Sequence, residues 1–217
     1  MSLQYQTVPV TPFSQNCSIV WCDDTMEGIV VDPGGDVQEL KQWIDKLQVN
    51  IVKLVLTHGH LDHVGGTEPL AALLGDIAII GPHKDDSFWL EGLKNQSQMF
   101  SFPLTEAFEP HQWLVQGDKV TFGNQILDVI HTPGHTPGHV VLYSAEAKLA
   151  FVGDVLFSGS IGRTDFPKGD FDTLIRSIKT KLWPLGNEVR FIPGHGPEST
   201  FGQERASNPY VADNATM

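Results

Sequence analysis

The sequence predicts a mixed α/β (α+β) protein built from two β-sheets with helices packed outside them. Short apolar runs of strand length come in two batches, each followed by helical patterns. No linker, low-complexity tract or tandem repeat divides the chain. Its 217 residues suit one large domain with a two-layer or four-layer core, spanning residues 1–217.

Taken in order, Leu3 to Val10, Asn16 to Trp21 and Gly28 to Val31 alternate or run apolar, as strands do. Asp36 to Leu47 places Val37, Leu40, Trp43, Ile44 and Leu47 at helical spacing. Val52 to Leu56 reads as a buried strand, Glu68 to Leu74 as helix and Ile77 to Ile80 as another buried strand. The second batch comprises Lys119 to Phe122, Gln125 to Ile130, Val140 to Tyr143 and Leu149 to Val152. Phe171 to Leu182 then reads as helix and Val189 to Ile192 as a last strand. Asp86 to Pro110 breaks this grammar. Its many aromatics have weak periodicity, which fits either a helical insertion over the core or an apolar wall beside a pocket or contact.

Composition narrows the function. A formal charge of −12 disfavours a nucleic-acid backbone or an anionic membrane as partner, and bound divalent cations would offset part of it. No run approaches the length of a membrane span. The first sixteen residues lack a basic region followed by an apolar run, so no signal peptide is expected and a cytoplasmic location is. Cys17 and Cys22 lie five apart on a strand-like stretch, which predicts a reduced, buried pair.

The chemistry gathers at Leu56 to Gly66, LTHGHLDHVGG. On extended backbone, side chains two apart point the same way, so His58 and His60 can converge on one ion. Asp62 and His63 are adjacent, so their side chains should diverge and can address a second ion. Later strands deliver more candidates after a glycine: His135 in PGHTPGH, Asp154 in FVGD and His195 in FIPGHGP. His83, His111 and His131 fit no such position, and His139, four after His135, is a weaker candidate for a supporting role.

THGHLDH, PGHTPGH, GD and PGHG, in this order, resemble the metallo-β-lactamase superfamily over nearly the whole chain. That resemblance implies a four-layer αββα sandwich with a dinuclear site at one sheet edge. It assigns His58, His60 and His135 to a first metal, Asp62, His63 and His195 to a second, and Asp154 to a bridge. Asp154 in place of cysteine disfavours the lactam-hydrolysing branch that uses a cysteine ligand. FSQNC, VDPGG, LTHGHLDHVGG, PGHTPGHV, GRTDFP and FIPGHGP are more similar to glyoxalase II, in its short bacterial form.

The activity implied is hydrolysis of a glutathione-derived thioester, S-D-lactoylglutathione, to D-lactate and glutathione. Two divalent ions, zinc with iron or manganese as alternatives, would share an acidified water. Asp62 would orient that nucleophile, and Arg163 and Lys168 would contact substrate. The helical segment that full-length glyoxalase II enzymes carry before their closing ST…E…NP stretch is absent. Ser199-Thr200, Glu204 and Asn208-Pro209 follow His195 almost at once, and Asn208 to Met217 contains no Lys or Arg. Alternatives are a glutathione persulfide dioxygenase using one iron at His58, His135 and Asp154, which GRTDFP resembles, or a hydrolase of another small thioester, ester or lactone.

Overall fold

A computed structural model describes residues 2–214. One sheet has the order β1 (Leu3–Val10), β2 (Gln15–Cys22), β3 (Glu27–Val31), β4 (Asn50–Val55) and β5 (Ala78–Ile80). The other runs β13 (Ser199–Thr200), β12 (Arg190–Pro193), β9 (Leu149–Gly153), β8 (Val140–Ser144), β7 (Gln125–His131) and β6 (Lys119–Phe122). The two sheets share one core: Val20, Ile29 and Val55 of the first meet Val129, Leu142 and Phe151 of the second. Each sheet then buries its other face under helices, as the two batches of strands require.

On the first sheet, α1 (Val37–Leu47) turns Leu40 and Ile44 inward, with Val37, Trp43 and Leu47 packed beside them. α3 (Thr67–Leu73) adds Leu70 and Ala71. On the second, α6 (Phe171–Ser177) begins at Asp170, whose carboxylate accepts from the Thr173 amide, and buries Leu174 and Ile175. The helix expected over Phe171 to Leu182 does not stay α-helical: after Ser177 it widens into a π turn over Ile178–Leu182. That turn keeps both Ile178 and Leu182 against the sheet.

Among the described residues, several short elements beyond the 3-10 turns escaped the sequence reading. They are α2 (Leu61–Val64), the ribbon of β10 (Leu156–Phe157) and β11 (Ser160–Ile161), β13, and α7 (Phe201–Ser207). α7 had a legible signal, since Thr200 caps it by accepting from the Gln203 amide, the T-x-x-Q pattern of a capping box. The ST…E…NP stretch has a structural role here. Buried Glu204 accepts from the Ser199 hydroxyl, the Gly159 amide and the Asn208 side-chain amide. Asn208 in turn donates to the Ser160 carbonyl, so the stretch pins the β10–β11 ribbon.

The segment 86–110 forms two short helices, α4 (Ser87–Glu91) and α5 (Leu93–Phe100), then an irregular return. The expected helical insertion over the core is what forms. Leu90, Leu93, Phe102 and Phe108 cover the first sheet's core. Trp89 meanwhile turns its ring edge-to-face against His60 at 4.4 Å.

Candidate metal centre

The parallel pairs β3–β4 and β9–β12 end at the same edge of the sandwich, and the loops leaving them carry the polar cluster. His58 and His60 follow β4, with His60 in extended backbone at the start of α2. His135 follows β7, Asp154 follows β9 and His195 follows β12. Cβ-free Gly194 lets this packing close: a methyl group there would sit 2.0 Å from Asp154 Oδ1. Gly153 turns the chain at φ 48°, and a methyl there would lie 2.6 Å from His139 Nε2.

The hydrogen-bond partners assign the tautomers. Asp32, at φ 53° directly after β3, accepts from the Thr57 hydroxyl at 2.6 Å and from His63 Nδ1 at 2.9 Å. With its single proton committed to Asp32, the Thr57 oxygen accepts from His58 Nδ1, 3.1 Å away. His135 Nδ1 donates to the Arg163 carbonyl at 2.7 Å, and His195 Nδ1 to the Phe13 carbonyl at 3.1 Å. The proton of each ring is thereby drawn to Nδ1, and Nε2 faces the centre. Such partners fix ring orientation and basicity wherever imidazoles ligate metals.

His58 Nε2 and His135 Nε2 then lie 3.2 and 3.0 Å from the same atom, His60 Nδ1. That nitrogen can offer at most one proton to two acceptors. A cation satisfies all three, and nitrogens bound at ~2.0–2.1 Å around a tetrahedral ion stand about 3.3 Å apart, close to what is observed. The far nitrogen of His60 has no hydrogen-bond partner and faces Trp89 and Phe166. Burial pulls the basicity of His58, His60 and His135 down, so all three favour the neutral form that a metal needs.

A second set adjoins the first. His195 Nε2 is 3.1 Å from Asp62 Oδ2, and His63 Nε2 is 3.8 Å from the same oxygen. The expected divergence of Asp62 and His63 is corrected here. Both sit on the single turn of α2, and their tips converge instead of pointing apart. Asp154 lies between the sets, with Oδ2 3.7 Å from both His135 Nε2 and His195 Nε2, and Oδ1 3.3 Å from His63 Nε2. His63 Nε2 and Asp154 Oδ1 are buried without an aligned hydrogen bond. Burial would lower the His63 basicity, but the Asp154 and Asp62 carboxylates outweigh it and hold it well above the usual value. A cation bound there takes that proton's place. Three imidazole nitrogens in one set, with two imidazoles and carboxylates in the next, fit two divalent ions.

Of the supporting residues, Asp32 and Asp86 were not singled out by the sequence. Asp32 stood inside VDPGG without a role. His139, read as a weaker candidate, is buried and accepts from the Asp154 amide at 3.1 Å while stacking on His58 at 4.7 Å. Asp86 is buried and collects three donors, from the Gly59 and Gly138 amides and the Thr136 hydroxyl. His83 and His131 stack on each other at 4.3 Å, outside the centre.

The two candidate substrate cations sit on the loop after β11. Arg163 is 67% exposed, holds Asp165 through two nitrogens at 2.9 and 2.8 Å, and lies 4.5 Å over the Phe166 ring. Lys168 places its ammonium 3.9 Å over Phe88. Phe166 packs against His60 and His135, whereas Phe88 packs against Trp89. Cys17 and Cys22 are free and buried. Burial pushes the Cys17 thiol well above its usual value, and Cys22 lies at the opposite end of β2 from the cluster. Among the described residues no helix is long and apolar enough to cross a membrane.

A model of the Metallo-beta-lactamase superfamily matches residues 10–195. Hydroxyacylglutathione hydrolase GloC of Haemophilus influenzae is 46% identical over 210 residues, covering 96% of this chain and 98% of that protein. A solved structure described as the BLEG-1 B3 metallo-beta-lactamase superposes with a TM-score of 0.88 at 35% identity, over 96% of this chain and 99% of that one. TTHA1623 in a di-iron-bound form gives 0.86 at 33% identity, over 95% and 100%.

Proposed function

Because this chain belongs to the metallo-β-lactamase superfamily, we propose that its cluster is the active site of a two-metal thioester hydrolase of the glyoxalase II kind, acting in the cytoplasm on S-D-lactoylglutathione. The observation that carries the reading is the placement of Asp154, one carboxylate reaching imidazoles of both ligand sets. The description of the Haemophilus relative supports the thioester class. His58, His60 and His135 would hold the first ion and Asp62, His63 and His195 the second, with Asp154 shared. Zinc suits these ligands, and iron or manganese would suit them as well.

When bound, two such cations supply Lewis acidity, making a water nucleophilic near neutral pH and balancing charge on the substrate carbonyl oxygen. Everything else falls to the chain. Asp62 lies at the edge of the cluster, where its carboxylate can accept the attacking water's hydrogen and aim the lone pair. Burial would raise the Asp154 pKa, yet His63 holds it well below the usual carboxylate range, so Asp154 stays an anion. Trp89 and Phe166 exclude water from the His60 side. A thiolate leaves unaided, its conjugate acid having a pKa of about 8.5. No cysteine nucleophile is needed, and neither buried cysteine could serve as one.

The test assays metal-loaded protein against lactoylglutathione, other thioesters, a β-lactam and glutathione persulfide, with metal analysis on the same sample. Two equivalents of metal and turnover fastest on lactoylglutathione support the reading. One iron with oxygen consumption on the persulfide would sink it in favour of the dioxygenase.

A further inference from the structure

The two ligand sets are not held alike. His58, His60 and His135 are buried, whereas the His195 side chain is 28% exposed. The backbone around His195 is fixed by β2: the Asn16 amide donates to the Gly194 carbonyl at 2.7 Å, and Gln15 bridges His195 itself. Its ring orientation rests on something else, the Phe13 carbonyl that accepts from Nδ1.

Phe13 sits at the tip of the hairpin between β1 and β2, and that tip is strained. Thr11 and Ser14 hold φ angles of 66° and 53°, a left-handed region that costs a β-branched residue such as threonine most. The Thr11 amide donates to Asp36 at 2.7 Å, which anchors the start of the turn. Phe13 itself is bound within the turn, through its amide to the Thr11 hydroxyl at 3.2 Å. Its ring reaches another element. It meets Phe100 edge-to-face at 5.8 Å and Phe102 at 5.1 Å, although it is 46% exposed.

We propose that Phe13 is a positioning residue for the second ion: its ring, docked on Phe100 and Phe102, holds the carbonyl that keeps His195 Nε2 turned toward Asp62 and Asp154. The inference rests on the two-ion reading of the cluster. It adds the aromatic end of α5 as a support of the His195 ring, beside the β2 contacts that fix the His195 backbone.

Metal-depleted wild type, Phe13→Ala and Phe13→Tyr are titrated with zinc against a chromophoric chelator. Wild type should take up two equivalents. In Phe13→Ala the first affinity should stay within about twofold while the second falls roughly three- to tenfold, the range of one lost aromatic contact. Phe13→Tyr, which keeps the ring and turns its hydroxyl to solvent, should restore the second affinity. Metal-free Phe13→Ala should melt within ~2–4 °C of wild type, as expected for an exposed side chain. A second ion bound by Phe13→Ala as tightly as by wild type overturns the inference and leaves the two-ion reading standing. Equal weakening of both ions overturns it as well, since the hairpin would then support the whole site. A wild type that binds one equivalent overturns the two-ion reading and the inference together.

Discussion

Asp86 accepts a hydrogen bond from the Gly59 amide at 2.9 Å, across 27 positions of sequence. Gly59 stands between His58 and His60, and the same carboxylate takes the Thr136 hydroxyl beside His135. One buried side chain thus ties together the two loops that deliver the first ligand set. Burial pushes Asp86 up to about 6, against the pull of its three hydrogen bonds. A raised acid contributes its stability below the unfolded value of 3.8 and loses it as pH rises through about 6. Denaturant unfolding of metal-free wild type and Asp86→Asn from pH 4 to 7 checks this. The wild-type advantage should shrink by about 2 kcal/mol across the window, at 1.36 kcal/mol per unit and with part of the effect lying below pH 4. A difference that is flat with pH would show that Asp86 does not titrate there.

His60 is expected to be the most sensitive ligand, because its Nδ1 faces both His58 and His135. His60→Ala should weaken the first ion by more than the roughly 10- to 100-fold typical of losing a supporting partner. Turnover should fall to near background. The fold should persist, since the two sheets share a core independent of the cluster. Metal analysis and circular dichroism on one sample decide it, and two retained equivalents with full rate would mean the ligands are misassigned.

Asp154→Asn keeps shape and removes charge. Because Asp154 Oδ2 is equidistant from His135 and His195, both ions should weaken together. His63 should lose basicity in the metal-free variant, as its strongest carboxylate neighbour is gone. Metal titration together with the His63 ring resonances reads both effects. Weakening confined to one ion would point to a mononuclear centre.

Much of this cluster was legible because its candidate ligands follow strand ends, and strands are marked by apolar runs that need no tertiary knowledge. His58, His60, His135, Asp154 and His195 stand directly after such runs or within motifs that punctuate them. The supporting residues carried no comparable mark. Asp86 acts on Gly59 and Gly138 through space, and nothing near it in sequence announces either partner. Asp32 and Thr57 are 25 positions apart, joined only because β3 and β4 run parallel. The divergence expected for Asp62 and His63 assumed extended backbone, and the turn of α2 reversed it. Short elements such as β10, β11 and β13 owe their form to the Glu204–Asn208 network rather than to local propensity.

Two separable roles are expected of Arg163, and substitution can tell them apart. Its carbonyl orients His135, and this contact survives any side-chain change that leaves the backbone in place. Its guanidinium, exposed and already paired with Asp165, would have to exchange that partner for a glutathione carboxylate. Solvent screens an exposed pair, so the exchange gains little and Arg163→Ala should raise KM only roughly two- to fivefold. The contact lies away from the reacting carbonyl, so kcat should hardly move. Asp165→Asn, which frees the guanidinium, should lower KM for glutathione thioesters and leave thioesters without carboxylates unaffected. If Arg163→Ala instead cuts kcat with KM unchanged, the side chain supports the His135 loop. If neither variant changes KM, the cation on Phe166 does not contact substrate, and glutathione must be recognised elsewhere on the rim.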